Sequence, residues 1–299
     1  MQNKHEPPTV DTDRHLRYNT PAVKPMIDST QNLILNEDCI VGMKKLADNS
    51  FDLAIADPPY NLSSGGSWKW DNSVALKGMG GNWNKVMESW DNMPLGDYFQ
   101  FTLAWLAEVK RLVRPEGSLW VHGTYHNIGV INLCMQILGI EIINEVVWYK
   151  RNSFPNLSGR RLTASHETIL WAHTGGKKRR YFFNYDASKT NDYPEDLLKS
   201  KGTQMRTVWD VPNNKKREEL AYGKHPTQKP ERLIQRIFDI SMKDGGGKLL
   251  VPFVGSGTDC VVAVKNHSTY VGFELEPQYV KLAQTRIAAS SRQGDLFNP

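Results

Sequence analysis

The chain has 299 residues, of which 39% are hydrophobic and 23% charged, and a formal charge of +5. This ordinary composition excludes wholesale disorder, and no apolar run approaches the roughly 18 residues a membrane span requires. The opening MQNKHEPPTVDTDRH lacks an apolar h-region, and the widely spaced Cys39, Cys134 and Cys260 form neither a disulfide framework nor a CxxC metal site, so a cytoplasmic protein is expected.

Residues 1–30 are Pro-rich and polar and read as a loose arm. Short apolar runs then predict buried strands at Leu33–Leu35, Leu53–Ala56, Ser118–Val121, Val146–Trp148, Thr168–Trp171, Lys248–Phe253 and Tyr270–Phe273. Between several of them lie amphipathic stretches that predict helices at Tyr98–Leu112, Ile128–Leu138, Glu231–Met242, Cys260–Lys265 and Gln278–Ala288. Strands alternating with helices predict an α/β fold around a mostly parallel sheet. Two stretches break the rhythm. Asn61–Pro94 is rich in Gly, Asn, Ser and Trp without a period, and a connection that long is functional or disordered. Gly175–Gly223 is polar and charged, and reads as an inserted subdomain.

The charge is unevenly spread. Lys150, Arg151, Arg160, Arg161, Lys177, Lys178, Arg179 and Arg180 face a single acid, Glu167, between positions 150 and 180; that local +7 leaves −2 for the rest of the chain. A solvated basic face is one reading. Interleaving with Trp148, Tyr149, Phe154, Trp171, Tyr181, Phe182 and Phe183 supports another, a nucleic-acid groove with cations for phosphates and rings for bases.

Two short motifs carry chemistry. Val251-Pro-Phe-Val-Gly-Ser-Gly-Thr258 follows a predicted strand and precedes a predicted helix, where glycines let the backbone approach a ligand and amides await an anion. A plain tight turn would look similar. Glu274, 19 residues after Gly255 at the end of the next strand, is placed to bind both hydroxyls of a ribose. Together they indicate an adenosine-containing ligand, and the missing GxGxxG disfavours a nicotinamide cofactor. The second motif, Asp57-Pro-Pro-Tyr60, closes the run Leu53–Ala56. It could simply end a strand. Stiffened by Pro58 and Pro59, it can also fix the Asp57 carboxylate and the Pro58 carbonyl as paired acceptors for an exocyclic amine, with the Tyr60 ring as a stacking face for an extruded base.

In this order the two motifs resemble the signature of β-class S-adenosylmethionine-dependent DNA amino-methyltransferases, and the Asp form of the tetrapeptide resembles the adenine-N6 group. Asn36-Glu-Asp-Cys39, His166-Glu-Thr-Ile-Leu-Trp171 and Lys224-His-Pro-Thr-Gln-Lys-Pro230 extend the resemblance over about residues 31–288. It implies a Rossmann-like sheet with an inserted target-recognition region. The implied organisation is a catalytic half at 31–174 with a DNA-facing loop at 61–94, recognition at 175–222, a cofactor half at 223–290, and a tail at 291–299. Asp57, Pro58, Pro59 and Tyr60 would hold the target adenine. Phe253, Gly255, Ser256, Gly257 and Thr258 would line the methionine and ribose of the cofactor, with Glu274 on the ribose and Asp38 and Cys39 beside the adenine ring. Asp57 would also border the cofactor, and Thr227 and Lys229 would help hold its carboxylate. The DNA contacts would come from the basic cluster together with Lys215, Lys216 and Arg217. Double-stranded DNA is the implied partner, and a homodimer is common in such relatives.

One departure stands out. The family carries an acid, which holds the cofactor's ammonium, where this chain has Val251. Loss of one charge-assisted hydrogen bond costs about 1.5–3 kcal/mol, or roughly 10- to 100-fold in affinity, unless another acid compensates. Mechanistically, acceptors at Asp57 and Pro58 would favour a pyramidal amine whose lone pair faces the methyl donor, so that no metal is needed. His122 and His126 have metal-pair spacing without the Glu of HExxH, and together with His166 read as structural or polar-pocket residues. Trp68, Trp70, Trp83 and Trp90 could be core, but in so Gly-rich a loop they suggest DNA contact or dimer packing. Gln293-Gly-Asp-Leu-Phe297 resembles the peptide that docks bacterial proteins on the DNA sliding clamp, with Gln293, Leu296 and Phe297 as contacts. Cytosine-N4 or RNA-adenine methylation, or a DNA-binding regulator with a weakened cofactor site, are the alternatives.

Overall fold

The computed structural model describes residues 27–61 and 93–296, apart from 154, 156–159, 161, 192, 194–195, 197–199, 214–215 and 224, with backbone alone at 177 and 292–296. Eight strands form one sheet: β1 (Leu33–Leu35), β2 (Phe51–Ala56), β3 (Val113–Gly123), β4 (Glu141–Tyr149), β5 (His166–His173), β6 (Val208–Asp210), β7 (Lys248–Val251) and β8 (Thr269–Phe273). Around them lie helices α1 (Cys39–Met43), α2 (Leu95–Leu112), α3 (Ile128–Ile137), α4 (Ala187–Thr190), α5 (Arg217–Leu220), α6 (Glu231–Ser241), α7 (Thr258–Lys265) and α8 (Pro277–Leu296). No helix among the described residues is long and apolar enough to cross a membrane.

The sheet order is β1-β8-β7-β2-β3-β5-β4-β6. All neighbours from β1 to β3 are parallel, β5 runs antiparallel to both β3 and β4, and β6 is parallel to β4. Alternate residues of the central strands feed opposite faces, as the two-residue period of a strand dictates. Leu53, Ile55, Leu249 and Val251 pack with Leu233, Ile237 and Val261 of α6 and α7. Ala54, Ala56, Leu250 and Val271 pack with Trp105, Leu106, Val109 and Ile131 of α2 and α3. Helices therefore cover both faces, which is why these strands read as continuous apolar runs.

The segment 175–223, expected as an inserted subdomain, contributes a strand to this sheet. β6 extends it at the edge, and Trp209 is buried with its ring 5.7 Å from that of Trp120, which stacks on Trp171 at 5.1 Å. The amide of Asn184 donates to the carbonyl of Ile240. Arg236 on α6 is fully buried, pairs with Asp196 at 2.8 Å and lies over the Tyr193 ring. A short polar segment thus gains its strand from tertiary packing rather than from its own pattern. Elsewhere β3 begins five residues earlier than its apolar run, continuing through Pro115 and Gly117, and α8 runs through residues 291–296, the expected tail.

Candidate active site

Register decides where the motifs meet. Leu35 pairs with Phe273, Val251 with Gly272, Ala54 with Leu250, and Ala56 with Val121, so the carboxyl ends of β1, β8, β7 and β2 share one edge of the sheet. The connection from β7 runs outward to β8, and that from β2 runs the other way to β3. A crevice at such a reversal is where open α/β sheets bind ligands. Here it is a cavity of about 340 Å³, lined by Asp38 and Cys39 after β1, Asp57–Tyr60 after β2, Pro252–Ser256, Thr258 and Asp259 after β7, and Glu274 after β8. The segment before α6 closes it with His225, Thr227 and Lys229.

The Asp57–Tyr60 turn is held from several sides. Tyr98 and Asn127 donate to the Pro59 carbonyl at 2.9 and 3.3 Å, while none of the described residues donates to that of Pro58. The Tyr60 hydroxyl donates to Asp57 Oδ1 at 2.7 Å, and Lys229 Nζ donates to Asp57 Oδ2 at 2.5 Å and also to Tyr60. Glu167 completes the cluster, 3.6 Å from Lys229 and 2.8 Å from Lys150. Burial works against ionising Asp57, but the Lys229 ammonium and the hydrogen bonds hold its carboxyl below the ordinary carboxylate range. Glu167 is likewise lowered by Lys229 and Lys150 against its burial. Burial would strip Lys229 of its proton, yet Asp57 and Glu167 raise it instead. His122, fully buried, has no partner for either ring nitrogen among the described residues, and burial pushes its pKa down to about 4, so it is a neutral neighbour. Asn61, with φ at 53°, exchanges side-chain hydrogen bonds with the backbone of Met93, tying together the residues that flank 62–92.

The Gly-rich turn is built from above and below. Gly255 and Gly257 adopt φ of 51° and 78°, and a Cβ on Gly257 would sit 2.6 Å from that of Ala283. Arg286 of α8 donates to the Ser256 carbonyl at 2.7 Å, and to Ser256 Oγ and Thr258 Oγ1 at 3.0 Å. The Glu274 carboxylate accepts from the amides of Gly255 at 2.8 Å and Glu276 at 2.9 Å. Asp38 caps α1 through the Val41 amide at 2.9 Å. Phe253 packs edge-on against Trp105, and Cys39 is buried with its thiol pushed up by desolvation. His225, lowered by burial to about 4, stands against Tyr279 and receives the Thr227 amide. A narrow apolar cleft with carboxylates, hydroxyls and a close backbone approach suits a ligand with an adenosine body and a polar amino-acid end. Oδ1 of Asp259, a buried carboxylate oxygen without a hydrogen-bond partner among the described residues, adds a further acceptor.

Comparison with known proteins agrees with this geometry. A family model described as DNA methylase matches residues 51–285. The chain belongs to that DNA methylase family. It is 37% identical over 269 residues to the type II methyltransferase M2.DpnII of Streptococcus pneumoniae, covering 90% of this chain and 94% of the relative. It is 35% identical over 272 residues to M2.LlaDCHI of Lactococcus lactis subsp. cremoris, covering 91% and 94%. The fold matches the crystal structure of the M1.HpyAVI–SAM complex with a TM-score of 0.58 at 23% identity, over 85% of this chain and 98% of that one. This DNA methylase therefore transfers methyl groups to DNA, and S-adenosylmethionine, the donor implied by its motifs, is its cofactor.

Among the described residues of the DNA methylase, the basic run is divided between the two ends of β5. β5 is antiparallel to β3, with His122 beside Ile169 and Leu119 beside Ala172, so its first residues reach the edge of Asp57 and its last the opposite edge. Its eight residues span roughly 24 Å at about 3.4 Å per residue. Lys150 and Arg151 follow β4 at the catalytic edge, and Arg160 belongs to the connection from β4 to β5 at that edge. Lys178, Arg179 and Arg180 follow β5 at the far edge, where Arg179 pairs with Glu141 at 2.5 Å and Phe182 bonds Glu116. Lys150 is committed to Glu167, and Arg151 to Asp210 at 2.6 Å. Lys216 and Arg217 flank the start of α5. Arg161, Lys215, Trp68, Trp70, Trp83, Trp90 and Phe297 lie outside the described residues, as do the side chains of Lys177, Gln293 and Leu296. His126 and His166 are exposed. Sequence reasoning assigned no role to Glu167, His225, Asp259 or Arg286. Glu167 and His225 stand inside quoted motifs, and Asp259 is an acid heading an otherwise apolar helix.

Proposed function

We propose that this DNA methylase methylates N6 of an adenine turned out of double-stranded DNA, with Asp57, Pro58, Pro59 and Tyr60 forming the target-amine site. One observation carries the reading: the Asp57 carboxyl, fixed by Lys229 and Tyr60 on a Pro-Pro turn, shares its cavity with the Gly-rich turn. A carboxylate has about four lone-pair sites. Lys229 and Tyr60 occupy two, and the remainder with the Pro58 carbonyl suit the two N–H groups of an exocyclic amine. These acceptors orient the amine before transfer, and the lowered basicity of Asp57 suits holding a hydrogen bond during it; the methylated amine then gives up one proton to solvent, and the donor leaves as S-adenosylhomocysteine. S-adenosylmethionine supplies an electrophilic methyl group. Glu274 would hold its ribose, Asp38 and Cys39 would border its adenine, and Phe253, Gly255, Ser256, Gly257 and Thr258 with Thr227 would line the remainder. Lys229, assigned by resemblance to the cofactor carboxylate, is better placed to hold Asp57. A homodimer belongs to the same reading and is checked by sedimentation.

The test is methyl transfer from labelled S-adenosylmethionine to mixed-sequence duplex DNA, with nucleoside analysis of the product. N6-methyladenine that disappears in Asp57→Ala supports the reading; N4-methylcytosine, or label entering only RNA, overturns it.

A further inference from the structure

Five acids line the cavity, and four are already engaged. Glu37 pairs with Lys45, Asp38 caps α1, Asp57 is bound by Lys229 and Tyr60, and Glu274 accepts two backbone amides. Asp259 is the fifth. It is only 6% exposed, it lines the cavity, and its Oδ1 has no hydrogen-bond partner among the described residues. A buried carboxylate oxygen without a donor is costly and rare in a folded protein. The cofactor carries a group that matches it, the ammonium of its amino-acid end. Val251 cannot serve: it is fully buried in the apolar layer with α6 and α7, and it does not line the cavity.

We propose that Asp259 receives the α-ammonium of S-adenosylmethionine, and so replaces the acid that position 251 lacks. The inference rests on the cofactor site described above. Three charged groups face Asp259 from packed elements: Asp57 after β2, Lys229 before α6 and Arg286 on α8. Desolvation, with Asp57 adding to it, outweighs the two cations and raises the Asp259 carboxyl to about 7, so below that pH the carboxyl holds a proton. An arriving ammonium would displace it.

Binding is measured by calorimetry with S-adenosylhomocysteine, which has the amino-acid end, and with 5′-methylthioadenosine, which lacks it. Asp259→Asn is expected to weaken S-adenosylhomocysteine by about 10- to 100-fold while leaving methylthioadenosine unchanged. Equal weakening of both, or no change in either, overturns the assignment. The wild-type protein gives a second reading that needs no variant. At pH 6, in buffers of different ionisation enthalpy, binding of S-adenosylhomocysteine should release protons, and binding of methylthioadenosine should not. Absence of that release overturns the proposal. A wild-type protein that binds neither nucleoside overturns the cofactor site itself, a distinct result.

Discussion

Lys229 Nζ lies 2.5 Å from Asp57 Oδ2, although 172 residues separate them in the chain. The contact links the segment before α6 to the end of β2, and with it the cofactor half of the cavity to the target-amine turn. Both partners are shielded, with side chains 5% and 17% exposed. Breaking such a pair from one side leaves a buried charge uncompensated, which costs about 3–5 kcal/mol. Lys229→Met should therefore lower the denaturant midpoint and release Asp57 from its cation. The sign follows from linkage. A carboxylate with a depressed pKa adds stability that is complete above its ordinary value and lost as pH falls through the lower folded value. In the wild type, at saturating cofactor, the acid limb that Asp57 sets in the kcat profile should lie below the ordinary carboxylate range. In Lys229→Met it should move upward, with kcat falling more than KM changes. An acid limb that stays in place would show that Lys229 does not set the charge on Asp57.

Arg286 supports the Gly-rich turn through three hydrogen bonds from a guanidinium that is 2% exposed. Hydrogen bonds to a charged group contribute about 1.5–3 kcal/mol each, and they do not add simply because they share one donor group. Arg286→Met keeps the stem and removes the donors. It should weaken S-adenosylhomocysteine by at least about tenfold, equivalent to about 1.4 kcal/mol, and lower the melting temperature. Calorimetric titration beside a thermal melt measures both.

Gly257 is fixed by two independent constraints. Its φ of 78° is a left-handed conformation that costs Ala about 1 kcal/mol or more, and a Cβ there would meet that of Ala283 at 2.6 Å. Overpacking adds about 1–3 kcal/mol. Gly257→Ala should lower the urea midpoint by a matching amount with an unchanged m-value. Gly255→Ala has a first contact of 3.4 Å, to the His225 ring, and should cost less in stability than in cofactor affinity.

The two chemical motifs were legible because each is local. A Pro-Pro turn after an apolar run and a Gly-Ser-Gly turn before a helix announce themselves within eight residues, and the register of β2 and β7 then brings them together. What stayed hidden was non-local. Nothing near Lys229 in sequence indicates that it meets Asp57, nor near Arg286 that it meets Ser256. β6 is three residues in a polar segment, a strand only because Trp209 packs on Trp120 and its backbone pairs with β4. This gives a separable test. If 175–222 were an independent subdomain, Trp209→Ala would unfold it alone and leave a second, later transition. Built into the sheet, the same change should cost about 3–5 kcal/mol in a single cooperative transition, followed by circular dichroism and tryptophan fluorescence together.

The direction of β5 was equally invisible in the sequence, and it bears directly on DNA. Eight basic residues within 31 positions suggest one groove, yet an antiparallel strand divides the described ones between the catalytic edge and the opposite one. Phosphate contacts near an extruded base must share the edge of Asp57. Arg160→Glu should therefore weaken duplex binding and lower the slope of log K against log salt by about one unit per lost phosphate contact. Lys178→Glu with Arg180→Glu removes more positive charge from the far edge, and should change affinity only through weak long-range field effects screened within about 8–10 Å. Fluorescence anisotropy over a salt series separates the two cases. An equal loss of slope from both variants would place the far edge on the DNA as well, and would require the duplex to wrap around the end of the sheet.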